Sequence, residues 1–223
     1  MKKQGYIYLS VCAALLLAFA ALTVCLLFVD VKAAGESGAE VGFATVNEAV
    51  FRALGQSEIA LTLSKLGGLV TIGAVGAFGV LGLVQVIRRK GIFRADRELY
   101  VMAGCLVLLA VFYVFFEIFV VNCRPVLDEG ELAASYPSSH TMLAVAVAGM
   151  GMAYLHGLPK KNALIYACIG VLNAAAVVTV ICRLLGGVHW LTDIVGGLLL
   201  GAAVACAYRA VCAFWSKKKE QGI

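Results

Sequence analysis

Six apolar runs, at about residues 6–29, 59–87, 98–121, 138–156, 162–181 and 190–215, constrain this chain more than any other feature. Each reaches the roughly 17–25 residues, or more, that an α-helix needs to cross ~30 Å of hydrocarbon. Backbone in a bilayer must satisfy its own hydrogen bonds, so such runs are expected as helices. Composition agrees, since 62% of the 223 residues are hydrophobic and only 14% are charged. A soluble domain has about half and about a quarter. The expected fold is all-α: a polytopic membrane bundle of six transmembrane helices, one integral membrane domain over residues 1–223. The first run follows Lys2 and Lys3, and Val31-Lys32-Ala33 resembles a loose signal-peptide cleavage site. Its apolar stretch exceeds the usual h-region of about 7–15 residues, which favours a first span.

The connections between the runs set orientation. Basic residues gather at the N-terminus, at Arg88, Arg89, Lys90, Arg94 and Arg97, at Lys160-Lys161, and at Lys217, Lys218 and Lys219. With six spans, all four groups fall on one side, which the positive-inside rule makes cytoplasmic. The expectation is a multi-pass plasma-membrane protein with both termini in the cytoplasm. Topology accounts for the formal net charge of +5, and no basic groove with interleaved aromatics points to nucleic acid. The eight cysteines form no CxxC pair and no Cys/His ligand spacing, so they read as small core residues.

Residues 30–58 are the longest polar stretch. Val46, Val50, Phe51 and Leu54 recur there at helical spacing, which suits either a short interfacial amphipathic helix or a plain surface loop. In the second run Gly73, Gly76, Gly79 and Gly82 form a stripe that would let neighbouring helices approach closely.

Three polar pieces interrupt this apolar background: Arg124-Pro125, Tyr136-Pro137-Ser138-Ser139-His140-Thr141, and Arg183 with His189 and Asp193. Cations and imidazoles are costly near a bilayer and are kept there for function. All three pieces fall on the outer side of the six-span layout, although nothing in the positive-inside rule requires it. Ser138 or Ser139 is placed to cap the fourth helix, whose N-terminal N–H groups would seat an anion beside His140. Taken alone, that could be no more than a capped helix. His189 and Asp193 are four apart, so at the start of the sixth helix they would share a face and the carboxylate would orient the imidazole. Arg124 and Arg183 supply planar forks suited to phosphate oxygens.

Arg124-Pro125, Pro137-Ser138-Ser139-His140 and Arg183-x5-His189-x3-Asp193 resemble, in order and spacing, the three signature motifs of the type 2 phosphatidic acid phosphatase superfamily. That superfamily includes bacterial lipid phosphatases and shares its site with vanadium haloperoxidases. The resemblance implies a haloperoxidase-like catalytic core and a metal-independent phosphatase without cofactors, acting on a lipid phosphate or lipid pyrophosphate in the bilayer. Substrates of the implied kind are a glycerophospholipid phosphate or a polyprenyl pyrophosphate such as an undecaprenyl pyrophosphate. It also implies roles: His189 as nucleophile, Asp193 orienting it, His140 protonating the leaving oxygen, and Arg124, Arg183, Ser138 and Ser139 holding the phosphoryl oxygens. A headgroup or phosphoryl transferase, and a non-catalytic lipid-phosphate binder, are the alternatives.

The chain departs from the family pattern at Glu117, where the first motif has Lys, at Ser139 in place of Gly, and at Cys182 in place of Ser. Glu117 reverses a charge beside the phosphate site. If the third helix ends near Val121, Glu117 lies one turn below its outer end, where it would pair with Lys65 or with Arg124 along its own helix. Alternatively, Lys65 snorkels to the interface and Glu117 sits in a wet cleft. Cys123 and Cys182, each preceding a site arginine, are either a disulfide or two free thiols.

Overall fold

The computed structural model describes residues 2–127 and 130–215. Lys217, Lys218 and Lys219 therefore lie outside the described residues. The described chain runs α1 (Lys2–Phe28), β1 (Lys32–Ala34), β2 (Ala39–Val41), α2 (Ala44–Leu54), α3 (Glu58–Arg88), α4 (Arg97–Ile118), α5 (Ser139–Gly157), α6 (Ala163–Leu185) and α7 (Leu191–Trp215), with a 3-10 turn at Ile92–Arg94.

Local chemistry sets several of these boundaries. α3 begins where the Ser57 side chain accepts from the Ala60 N–H, 3.2 Å away, with Glu58 favourably placed in the first turn. Asn162 does the same for α6, its Oδ1 lying 3.0 Å from the Ile165 N–H. α4 stops at Ile118 because Phe119 leaves helical geometry, at φ −100° and ψ 79°. Glu117 thus stands at the very end of its helix, and Arg124 lies in the loop beyond rather than on the same helix face.

The expected helix count changes in two ways. Residues 44–54 form the short α2, so there are seven α-helices among the described residues instead of six. Five of them, α1, α3, α4, α6 and α7, are long and apolar enough to cross a membrane. α5 falls outside that set for a physical reason. It opens with Ser139, His140 and Thr141, is rich in Ala and Gly, and buries nine residues against its neighbours. A helix enclosed by other helices does not need a lipid-compatible surface. The all-α expectation also misses a small hairpin, in which β1 and β2 pair antiparallel around Gly35 and Gly38, both at positive φ.

α5 and α7 form the centre. Met142, Ala146 and Met150 of α5 meet Leu200, Val204 and Tyr208 of α7, with α1 and α4 closing one side. α3 and α6 pack together and cover the other side of α5. Close approach depends on glycines other than the expected stripe. A Cβ on Gly149 would lie 2.7 Å from the Ala205 Cβ, and one on Gly201 would lie 2.6 Å from the Met142 carbonyl oxygen. Gly73, Gly76 and Gly79 have nothing near them, and Gly82 has only Leu99, at 3.8 Å. The stripe makes no close helix contact, with Gly79 and Gly82 lining an open groove beside α4; on α3, Gly67 and Gly68 make the contacts.

The two ends of the bundle differ. One collects the C-terminal end of α1, the hairpin, α2, the 119–138 loop, and the junction between α6 and α7. The other collects the described basic connections, from Arg88 to Arg97 and at Lys160 and Lys161.

Candidate active site

Every polar piece singled out in the sequence converges at the first of these ends. Arg183 closes α6 and is buried at 5% exposure; His140 sits in the first turn of α5. An Arg183 terminal nitrogen lies 2.5 Å from His140 Nδ1. Arginine can only donate, so Nδ1 accepts and the imidazole proton is carried on Nε2.

His189 does not share a helical face with Asp193, because α7 begins at Leu191. The pair meets across the helix start instead. Asp193 Oδ2 accepts from the Trp190 N–H at 2.9 Å, the reach-back half of a capping box. The same oxygen lies 3.5 Å from His189 Nδ1. His189 is 3% exposed, and neither ring nitrogen makes a hydrogen bond among the described residues. Burial holds its imidazole below the ordinary histidine range; the Asp193 carboxylate beside it pulls it upward, and Arg183 and Arg124 push it down. Neutral His189, with its Nδ1 proton toward Asp193, leaves a lone pair on Nε2.

A cleft brings His189 together with Arg124, Ser139, Glu117 and Tyr113. His140 opens instead onto an adjoining recess against α3, lined by Gly68, Thr71 and Ile72, with Ser139 on the wall of both. A Cβ on Gly68 would approach the His140 Cδ2 to 3.2 Å, so this glycine makes room for the ring. Ser138 occupies the N-cap position of α5, but its buried hydroxyl makes no cap hydrogen bond. It is held by its backbone, through its N–H to the Asp193 carbonyl at 3.0 Å. Tyr136 fixes the preceding segment by a 2.8 Å hydrogen bond with Thr23 of α1 and by stacking on Phe19.

Arg124 is positioned by a loop ladder, its N–H bonded to the Ala133 carbonyl beside the Cys123–Ala134 bridge. Glu117 lines the same cleft beside Tyr113, one turn earlier. Lys65 is exposed on α3, while its neighbours Ser64, Gly67 and Gly68 face inward. No ion pair joins Lys65 to Glu117 among the described residues, because the helical turn that buries Ser64 rotates Lys65 outward. Cys123 and Cys182 are free thiols.

Three residues went unnoticed in the sequence. Asn122, 1% exposed, lies with its Nδ2 3.4 Å from Asp193 Oδ1 and accepts from the Gly42 N–H at 3.1 Å. Asn47 of α2, fully buried, donates to the Gly42 carbonyl and to Thr192 Oγ1, and accepts from the Thr192 N–H. Trp190 donates its indole N–H to the Cys123 carbonyl at 2.8 Å. Neither asparagine stands out in the sequence, since Asn47 lies within the polar 30–58 stretch and Asn122 in the short connection before Arg124.

A family model described as the PAP2 superfamily matches residues 99–217. Among solved structures, the chain is similar to one described as the first transmembrane PAP2 type phosphatidylglycerolphosphate phosphatase from Bacillus subtilis. The two share 18% sequence identity and a TM-score of 0.62, over 93% of this chain and 98% of that one. No curated protein matches the sequence.

Proposed function

The chain belongs to the PAP2 superfamily, and from that premise we propose that it is a single-domain membrane phosphatase hydrolysing a lipid phosphate or lipid pyrophosphate through a phosphohistidine. The observation that carries this reading is the buried His189, backed by Asp193 at 3.5 Å and presenting an unpartnered Nε2 beside Arg124. The His189 Nε2 lone pair attacks phosphorus, and the bond from phosphorus to the lipid oxygen breaks. That oxygen takes the proton held on His140 Nε2. Water then attacks the phosphohistidine and gives its proton to His140 Nε2, the P–N bond breaks, and inorganic phosphate leaves with both histidines restored. Arg124, Arg183 and the α5 start at Ser138 and Ser139 face the phosphoryl oxygens as charge develops on them. The Gly68 recess gives the departing lipid alcohol its place beside His140.

The bundle supplies six crossings when the enclosed α5 is counted with the five apolar helices. With the basic connections in the cytoplasm, the site faces the outer leaflet of the plasma membrane and both termini are cytoplasmic. Glu117 tunes phosphate affinity from the wall of the cleft, whereas Lys65 has no part.

The test is phosphate release by purified protein across lipid monophosphates and polyprenyl pyrophosphates, with acid quenching to trap an acid-labile phosphoenzyme. Release by the native chain and loss of the phosphoenzyme in His189→Ala are expected. Release only with an added alcohol would make the protein a transferase. Binding without turnover would make it a lipid-phosphate binder.

A further inference from the structure

A second cavity, of about 630 Å³, opens at the opposite, basic end of the bundle, between the start of α1, the start of α4, and the ends of α5 and α7. Its volume lies in the range of small-ligand sites. The phosphatase chemistry does not use it, and its polar groups are unevenly satisfied.

Asp96 is fully engaged. It accepts from Gln85 at 2.8 Å, from Tyr154 at 2.9 Å and from Arg89 at 2.9 Å. Two other charges on the wall are not. Arg209 is half-buried, and among the described residues its guanidinium meets Tyr8, through a 3.3 Å hydrogen bond to the hydroxyl and a cation–π contact at 5.6 Å. Among the described residues, no carboxylate pairs with Arg209 and no cation pairs with Glu98. Tyr208, next to Arg209 on α7, is 1% exposed, and its hydroxyl is closed off from the cavity beside the Cys212 thiol.

One cation and one anion without ion-pair partners among the described residues, set around a single cavity, match a ligand that carries both charges. We propose that this cavity binds a zwitterionic phosphodiester of an amino alcohol, with its phosphate on Arg209 and its ammonium on Glu98. A purely anionic ligand would leave Glu98 facing like charge, and a purely cationic one would leave Arg209 unanswered. The cavity is at the end of the helices, where lipid headgroups meet water. Its occupant is therefore either a phospholipid headgroup or the same group in soluble form.

The experiment uses the full chain in detergent, probed by thermal unfolding and native mass spectrometry. The probes are glycerophosphoethanolamine and dihexanoyl phosphatidylethanolamine, with glycerophosphoglycerol and ethanolamine as controls. These diesters present no phosphomonoester to the site at the other end. The expected result is saturable stabilisation by at least one zwitterion and by neither control. Arg209→Gln and Glu98→Gln should each weaken it roughly tenfold, as expected for a lost charge-assisted contact. Response to the lipid alone identifies a headgroup site; response to both identifies a site for the free group as well. Equal response to glycerophosphoglycerol, no response to either zwitterion, or unchanged affinity in both variants would overturn the proposal.

Discussion

Replacing Asn47 by Ala would expose how the segment outside the bundle supports the site. The Asn47 amide caps α7 from another element: its Oδ1 accepts the Thr192 N–H at 3.2 Å, and its Nδ2 donates to Thr192 Oγ1 and the Gly42 carbonyl, both at 2.9 Å. Truncation strands the Thr192 N–H and the Gly42 carbonyl where Asn47 was fully buried. An unmade buried partner costs about 1–3 kcal/mol, so two cost roughly 2–6 kcal/mol. For a chain of this size about 1 kcal/mol corresponds to ~2–4 °C, which gives a fall in Tm of roughly 4–24 °C in detergent. His189 lies two residues before the helix whose start is loosened, so kcat should drop as well. Thr192→Ala alone keeps its backbone N–H bond and should cost less. Combined with Asn47→Ala it should show a coupling of roughly 0.5–1.5 kcal/mol. A Tm within about 2 °C of the native value, together with additive effects in the double variant, would refute the reasoning.

His189→Ala should abolish the phosphoenzyme and all turnover. His140→Ala should lose lipid substrates but retain part of its rate on a nitrophenyl phosphate, whose leaving group needs no proton; equal loss on both would reverse the assigned roles. Because burial lowers the His189 pKa in the folded state, the unfolded chain binds the extra proton first. Stability should therefore be full above about pH 6.5 and fall as pH drops toward the depressed folded value; urea titrations from pH 8 to 5 should show this slope, and His189→Gln should flatten it. Glu117→Gln should tighten inhibition by inorganic phosphate roughly three- to tenfold, the exposure of the carboxylate keeping the effect small; an unchanged inhibition constant would remove Glu117 from the phosphate's field. Cysteines introduced at Glu40 and Lys160, on a background lacking native cysteines, should divide under an impermeant thiol reagent in intact cells. Labelling at residue 160 but not at residue 40 would invert the orientation.

The sequence by itself determined the helices that face lipid, because apolar length is a local property and a bilayer admits little else. It also determined the order of Arg124, Ser138, Ser139, His140, Arg183, His189 and Asp193, which family resemblance reads from spacing. Tertiary structure decided the rest. Glycines at helical spacing look alike in sequence, and only packing showed that Gly68, Gly149 and Gly201 face neighbours while Gly73 and Gly76 do not. Lys65 and Glu117 looked like a pair because both interrupt apolar runs, yet rotation of each helix about its axis, fixed by distant contacts, turned them apart. Asn47 and Asn122 were unremarkable letters until the fold brought α2 and the 119–138 loop onto the start of α7. A hydrogen bond spanning 145 residues, such as that from Asn47 to Thr192, leaves no periodic trace in the chain, because its partners are made neighbours only by the packing of everything between them.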